Sequence, residues 1–274
     1  MKKILVPTDF SKEAENALKV AAQLAKRYDG EIFLIHLLEL PLTQIDALSQ
    51  QSELPEAMFF MKLANKKFKD VLTRDYLEGI KVHDTVDFNQ TFSGISKIAK
   101  EKGVDLIVMG SHGASGFKEM FIGSNTEKVV RTSDVPVLVI KNEHKNFALH
   151  DIVFASDFKM DSKETYRQAS ELAKIFHAKL HLLMVNTASN FTTTTKANAR
   201  IMDFIAGYDY KNYTINIFND ENVEQGILNF SHIINADLIG ISTHGRQGIA
   251  HFLNGSISED LVNHSKRPVI TFKI

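Results

Sequence analysis

Two irregular, glycine-rich phrases share one spacing: MGSHGASGFKEMFIGS at residues 109–124 and ISTHGRQGIAHFLNGS at 241–256. An internal repeat constrains a fold more than composition does, because both copies must be units that fold in the same way. Aligned from Asp105 and Asp237, the chain matches itself without a gap at Asp105, Leu106, Ile107, His112, Gly113, Gly116, Gly123, Ser124, Glu127, Val130, Ser133, Pro136 and Val137. Near the start, KILVPTDFS over DIVFASDFK places Asp9 on Asp157 and Phe10 on Phe158. The offset is 148 residues there and 132 at the glycine phrase, so the second copy is 16 residues shorter between them. The extra length of the first copy falls within 41–79, and the polar stretch 141–146 reads as a linker. A chain of 274 residues is comfortable as two domains, expected at 1–141 and 150–274.

Each copy alternates strand and helix. KILVPT is an apolar run ending in turn chemistry, hence a buried strand, and Ser11 is a good N-cap for a helix after it. Ala14, Ala17, Leu18, Ala21, Ala22 and Leu24 then recur at helical spacing. EIFLIHLLEL is a second strand, 56–77 a long helix, and IKVHDTVDF a third, alternating strand. GISKIAKEKG is a short helix closed by Gly103, VDLIVMG a fourth strand and VPVLVIK a fifth. Strands separated by helices predict an α/β fold: in each domain a mostly five-stranded parallel sheet with helices on both faces. Such sheets bind ligands beyond the carboxyl ends of their strands, where the strand order reverses.

The first glycine phrase comes directly after the fourth strand, so it lies at a carboxyl end. Gly110 and Gly113 can form a tight turn with inward amides, a nest for an anion. Gly123 and Ser124 open a helix, whose free amides and dipole also attract an anion. The pattern is neither the Walker loop nor the Rossmann fingerprint. A second reading stands beside this one. Ser124 with Glu127, and Ser256 with Glu259, form capping boxes, so each serine could cap a helix and bind nothing.

Composition limits the chemistry. Hydrophobic residues make up 44% and charged residues 24% of the chain, the balance of a folded globular protein. The net charge of −1 supplies no basic field for nucleic acid. The absence of cysteine excludes disulfides, thiol catalysis and Cys-ligated metal. Pro7 and Asp9 interrupt the N-terminal apolar run, and no run approaches the roughly 18 residues of a membrane span. The expectation is a cytoplasmic protein without membrane insertion.

VPTDFS, then MGSHG, nine residues, GS, and a strand PVLVI closely resemble the universal stress protein family. The resemblance covers nearly the whole chain, once per half, as in a tandem member. It implies two Rossmann-like (adenine nucleotide alpha-hydrolase-like) domains. The family pattern G-x2-G-x9-G-[ST] is met in full by Gly110, Gly113, Gly123 and Ser124. The resemblance implies an ATP site in the first half, with magnesium held through the phosphates. Its residues would be Pro7, Thr8, Asp9, Leu37, Met109, Gly110, His112, Gly113, Gly123, Ser124 and Asn125. Asp9 would contact the nucleoside, the backbone at Leu37 the adenine, and the glycines and Ser124 the phosphates and ribose. The second half departs: Ser242 replaces the first glycine, while Ala155 and Ser156 replace Pro7 and Thr8. Asp157, Val185, Ser242, Gly245, Gly255 and Ser256 would form a degenerate site, weak or empty.

Other residues have plainer readings. His112 and His244 are loop hydrogen-bonders before they are acids or bases. His177 and His181 span a helix end and a strand start, which removes metal binding. Lys118 and Arg246 are solvated, and the run of four threonines at 192–195 is a polar loop. No catalytic residue and no metal site is assigned. Three functions compete: an ATP-binding stress or signalling protein, a nucleotide-free interaction scaffold, and a slow ATP hydrolase. Asp9 alone offers a carboxylate at the site, which argues against turnover. The closing strands at 135–140 and 268–274 are short and apolar, and pairing would protect their edges. The two copies are therefore expected to pair within the chain about a pseudo-two-fold axis, with further homodimerisation left open.

Overall fold

The computed structural model describes residues 2–38, 54–88, 91–111, 123–243 and 261–273. The chain divides into two compact units. The first begins at the N-terminus and runs through the fourth strand, and it also takes Gly123–Val129 and Ile140–Lys145. The second takes Val130–Val139 and Asn146–Ile274.

In the first unit, β1 (Lys3–Pro7) pairs in parallel with β2 (Glu31–Leu37) on one side and β4 (Leu106–Gly110) on the other. β2 pairs in parallel with β3 (Lys81–Asp87), so the order is β3-β2-β1-β4. The chain steps outward from β1 to β3 and then returns past β1 to β4. The order therefore reverses between β1 and β4. The helices are α1 (Lys12–Tyr28), α2 (Leu54–Leu72), α3 (Thr91–Lys102) and the start of α4 (Ser124–Thr132). Ser11 caps α1 by accepting the Ala14 amide at 3.2 Å, and the six apolar residues predicted on one face of α1 are all buried. Gly103 ends α3 in the left-handed region, φ 61°, where a side chain would be strained. The long helix expected at 56–77 stops at Leu72, and Asp75–Leu77 forms a separate 3₁₀ turn.

The second unit repeats the design. β6 (Asp151–Ala155), β7 (Lys179–Asn186), β8 (Tyr213–Asn219), β9 (Leu238–Thr243) and β10 (Val269–Lys273) form a parallel sheet in the order β10-β9-β6-β7-β8. Its helices are α5 (Lys163–Phe176), α6 (Thr194–Ile205) and α7 (Val223–Ile233). The sheet takes a further strand from the first copy. β5 (Val137–Ile140) runs antiparallel to β10, with Val139 opposite Val269 and Val137 opposite Thr271. Both strands are buried throughout, so the pairing covers two apolar edges.

Two local expectations change. Thr193 caps α6 by accepting the Lys196 amide, so the threonine run opens a helix rather than forming a loop. The stretch read as a linker is tied to α1: Lys19 Nζ meets Glu143 Oε1 at 2.5 Å, and Gln23 donates to the His144 carbonyl.

Candidate functional site

The chain leaves β1 through a turn stitched by its own side chains. Thr8 Oγ1 accepts the Phe10 amide, and Asp9 Oδ1 accepts the Ser11 amide, each at 3.0 Å. Phe10 takes φ 63°, a conformation that is costly for a bulky residue, of order 1–3 kcal/mol. Its ring packs edge-on to Phe68 at 5.1 Å and against the His36 ring at 4.7 Å, which holds the strained residue in place. Asp9 thus forms the turn.

At the end of β4, Gly110 is required for a reason that its sequence context does not suggest. It is not in the left-handed region. A Cβ there would lie 2.7 Å from the Glu13 carbonyl carbon and 2.8 Å from its oxygen. Gly110 lets the first turn of α1 approach β4 backbone to backbone. The tight turn expected of it with Gly113 lies outside the described residues.

At the start of α4, the Gly123 carbonyl accepts the Glu127 amide at 3.0 Å, so Gly123 holds the cap position and Ser124 is the first helical residue. Ser124 is therefore not the N-cap, and the capping box expected of it with Glu127 does not form around it. The Gly123 amide itself donates to the Ser111 carbonyl at 2.8 Å. The amides of Ser124, Asn125 and Thr126 have no partner within the helix and form its electropositive end. Thr126 Oγ1 donates to the Gly110 carbonyl at 3.0 Å, tying this helix end to β4.

These pieces enclose one cleft of about 170 Å³, lined by residues of all three strand ends and of the helix start. A buried water needs roughly 10–15 Å³ on this measure, so the cleft is the size of a ligand. Pro7, Thr8, Asp9, Leu37, Met109, Gly110, Gly123, Ser124 and Asn125 all line it. His112 and Gly113 lie outside the described residues. Sequence reasoning missed Ala14, Ile35, His36 and Thr126, which line the same space. Helix and strand register could have found Ala14 and Ile35. His36 sits beside Leu37 and is overshadowed by it.

The corresponding place in the second unit has the same frame and different contents. Ser156 Oγ accepts the Phe158 amide, Asp157 Oδ1 accepts the Lys159 amide, and Phe158 has φ 53°. But Lys159 stands where the first copy has Ser11, and its ammonium pairs with Asp157 Oδ2 at 2.9 Å. Without the serine cap, a 3₁₀ turn at Met160–Ser162 precedes α5. Ser242 meets the first turn of α5 here. Thr165 Oγ1 donates to the Ser162 carbonyl at 2.6 Å, so Ser242 Oγ donates to Thr165 Oγ1 at 2.7 Å. Both side chains are buried. Like Gly110, Ser242 is not in the left-handed region, so the serine fills space without straining the backbone. Val185 is buried beneath α7, where a Cβ on Gly226 would lie 2.5 Å from its Cγ1. Gly245, Gly255 and Ser256 lie outside the described residues. His177 ends α5, whereas His181 is engaged by Asp151 and Thr214, so the two share no ligand geometry. Among the described residues no group of acidic and histidine side chains could hold a metal ion.

Comparison with known proteins places both parts of the chain in one family. The model of the universal stress protein family matches residues 1–141 and 215–273. A universal stress protein of Methanocaldococcus jannaschii is 35% identical over 156 residues, covering 52% of this chain and 96% of that protein. The universal stress protein YxiE of Bacillus subtilis is 32% identical over 146 residues, covering 51% of this chain and 98% of its own. The crystal structure of a universal stress protein from Archaeoglobus fulgidus aligns with a TM-score of 0.78 at 24% identity, covering 99% of this chain and 98% of that one. The last likeness shows that the fold is shared along the whole chain.

Proposed function

This chain belongs to the universal stress protein family, and we propose that its first half binds ATP while the second half keeps the fold without an equivalent site. The observation that carries this reading is the convergence of the ends of β1, β2 and β4 with the start of α4 on one cleft lined by Asp9, Leu37, Gly110, Ser124 and Asn125. The amides at the start of α4 suit phosphate oxygens, as helix starts do generally. Ile35, Leu37 and Met109 supply apolar surface for a base. Magnesium would enter with the phosphates rather than on a protein cage.

The site is built for occupancy more than for turnover. Asp9 is the one carboxylate among the described lining residues, and its Oδ1 already holds the turn. Phosphoryl transfer requires a positioned nucleophile or base and metal ligands beyond that. We read the protein as a cytoplasmic signalling component whose shape or partners change with bound nucleotide, with turnover below about 1 s⁻¹, the low end for enzymes.

Native mass spectrometry of the purified chain, with identification of the ligand released on denaturation, tests the reading. Adenine nucleotide at one equivalent supports it. A chain that carries none and takes up none from millimolar ATP and magnesium is a scaffold instead.

A further inference from the structure

His36 lines the cleft, yet neither the glycine pattern nor the turn motif includes it. Its Nδ1 lies 2.7 Å from the Thr8 carbonyl oxygen. A carbonyl only accepts, so Nδ1 carries the proton, and in the neutral ring Nε2 is left as an acceptor. The same ring lies against Phe10 with centroids 4.7 Å apart. The imidazole therefore grips the turn on both sides of Asp9: the carbonyl before it by a hydrogen bond, and the ring after it by contact. Phe10 is only half-buried and has φ 63°, so the turn that carries Asp9 needs such a hold.

The second copy shows what the turn looks like without this hold. The backbone bond from Thr8 N to the Ile35 carbonyl is matched by that from Ser156 N to the Leu183 carbonyl, which sets the register and puts Met184 in the place of His36. Methionine has no N–H to offer the Ser156 carbonyl. There the strained Phe158 is held by core rings instead, Phe204 at 5.3 Å and Phe154 at 6.2 Å, and is buried. The fold keeps the turn in both copies, but the first copy holds it with a polar side chain that also lines a cleft.

We propose that His36 is a positioning residue of the cleft, which sets the Asp9 carboxylate for ligand by donating its Nδ1 proton to the Thr8 carbonyl. The proposal rests on the reading of this cleft as a nucleotide site. The side chain acts through the turn, so its removal weakens binding only while Asp9 is there to be positioned.

The test uses the full chain, with ATP and magnesium as the probe. His36→Met installs the second copy's residue. His36→Asn keeps an N–H at the Nδ1 position and loses Nε2. We expect H36M to weaken ATP binding ~10-fold, the scale of one lost hydrogen bond to a positioned group, and H36N to stay within about 3-fold of wild type. In an Asp9→Asn background, H36M should cost less than about 2-fold more, as coupled neighbours do in a double-mutant cycle. Hydrogen exchange of the Phe10 and Ser11 amides, read without ligand, should quicken in H36M and not in H36N. Equal ATP affinity in H36M and wild type overturns the proposal, as does H36N behaving like H36M. So does an H36M cost that is unchanged in the Asp9→Asn background. If wild type binds no ATP, the nucleotide reading falls, and this assignment falls with it. If wild type binds and only the His36 variants are indifferent, the nucleotide reading stands and this assignment alone fails.

Discussion

The turn after β1 and the turn after β6 are nearly the same object. Each has a hydroxyl and an aspartate accepting amides two residues on, and each carries a phenylalanine at positive φ. Around that shared frame the side chains diverge. Ser11 caps α1 directly, whereas Lys159 neutralises Asp157 and delays α5 by a 3₁₀ turn. Gly110 admits the α1 backbone, whereas Ser242 hydrogen-bonds into the first turn of α5. His36 holds the first turn, and Met184 replaces it in the second. The aspartate therefore belongs to the fold, while the cleft depends on what stands beside it. On our proposal, shared Asp9 and Asp157 do not make two sites.

The contrast between the two turns is most vulnerable at Gly110. Gly110→Val places a branched side chain where even Cβ would meet Glu13 at 2.7 Å. Overpacking of this kind costs about 1–3 kcal/mol of stability. We expect that loss in urea titrations, together with an ATP affinity weakened by at least ~100-fold, because α1 must move away from the cleft.

The next effect lies at matching lysines near the ends of the closing strands. Burial pushes Lys273 down to about 8 from its ordinary 10.5, with Asp134 opposing weakly, and its Nζ donates to the Val130 carbonyl at 2.6 Å. Lys141 is lowered to about 8 by the same cause but is more exposed. The native chain therefore releases these protons before the unfolded chain does. Between about pH 8 and 10.5 the unfolded state binds more protons, so stability rises with pH, by an amount of order 1–3 kcal/mol for Lys273. Denaturant titrations at pH 7.5 and 9.5 should show that rise largely removed in Lys273→Met and less so in Lys141→Met.

Asp9→Asn separates the two halves more gently. Asparagine keeps the oxygen that accepts the Ser11 amide and removes the charge, so the turn survives while ATP affinity falls ~10-fold by calorimetry. Asp157→Asn should leave ATP binding unchanged. The least change is expected at Ser242→Ala. Thr165 keeps its bond to the Ser162 carbonyl, so the loss is about 0.5–1.5 kcal/mol, one ordinary hydrogen bond, with ATP affinity unaltered.

Much of this frame was legible in the sequence. Apolar runs identified the strands, Ser11 and Gly103 marked helix ends, and the repeat assigned both copies to one fold. The lining of the cleft was legible wherever a residue sat in a recognisable phrase. What was not legible depends on contacts between distant segments. Gly110 reads as a turn glycine until α1 is seen against it. His36 reads as a strand residue until its ring is found on the Thr8 carbonyl. The later start of α5, after a 3₁₀ turn, accompanies Lys159 at the position of the Ser11 cap, before the helix begins. The pairing of β5 with β10, by contrast, was legible, because both closing strands are short, apolar runs whose edges need cover.

The proposal that one chain with two copies of the fold offers one nucleotide site is tested by the stoichiometry of ATP binding in isothermal titration calorimetry. One nucleotide per chain is expected at concentrations near the dissociation constant, with affinity weakened by Asp9→Asn and indifferent to Asp157→Asn. Two equivalent sites, or a single site that survives Gly110→Val and disappears in Asp157→Asn, would contradict it.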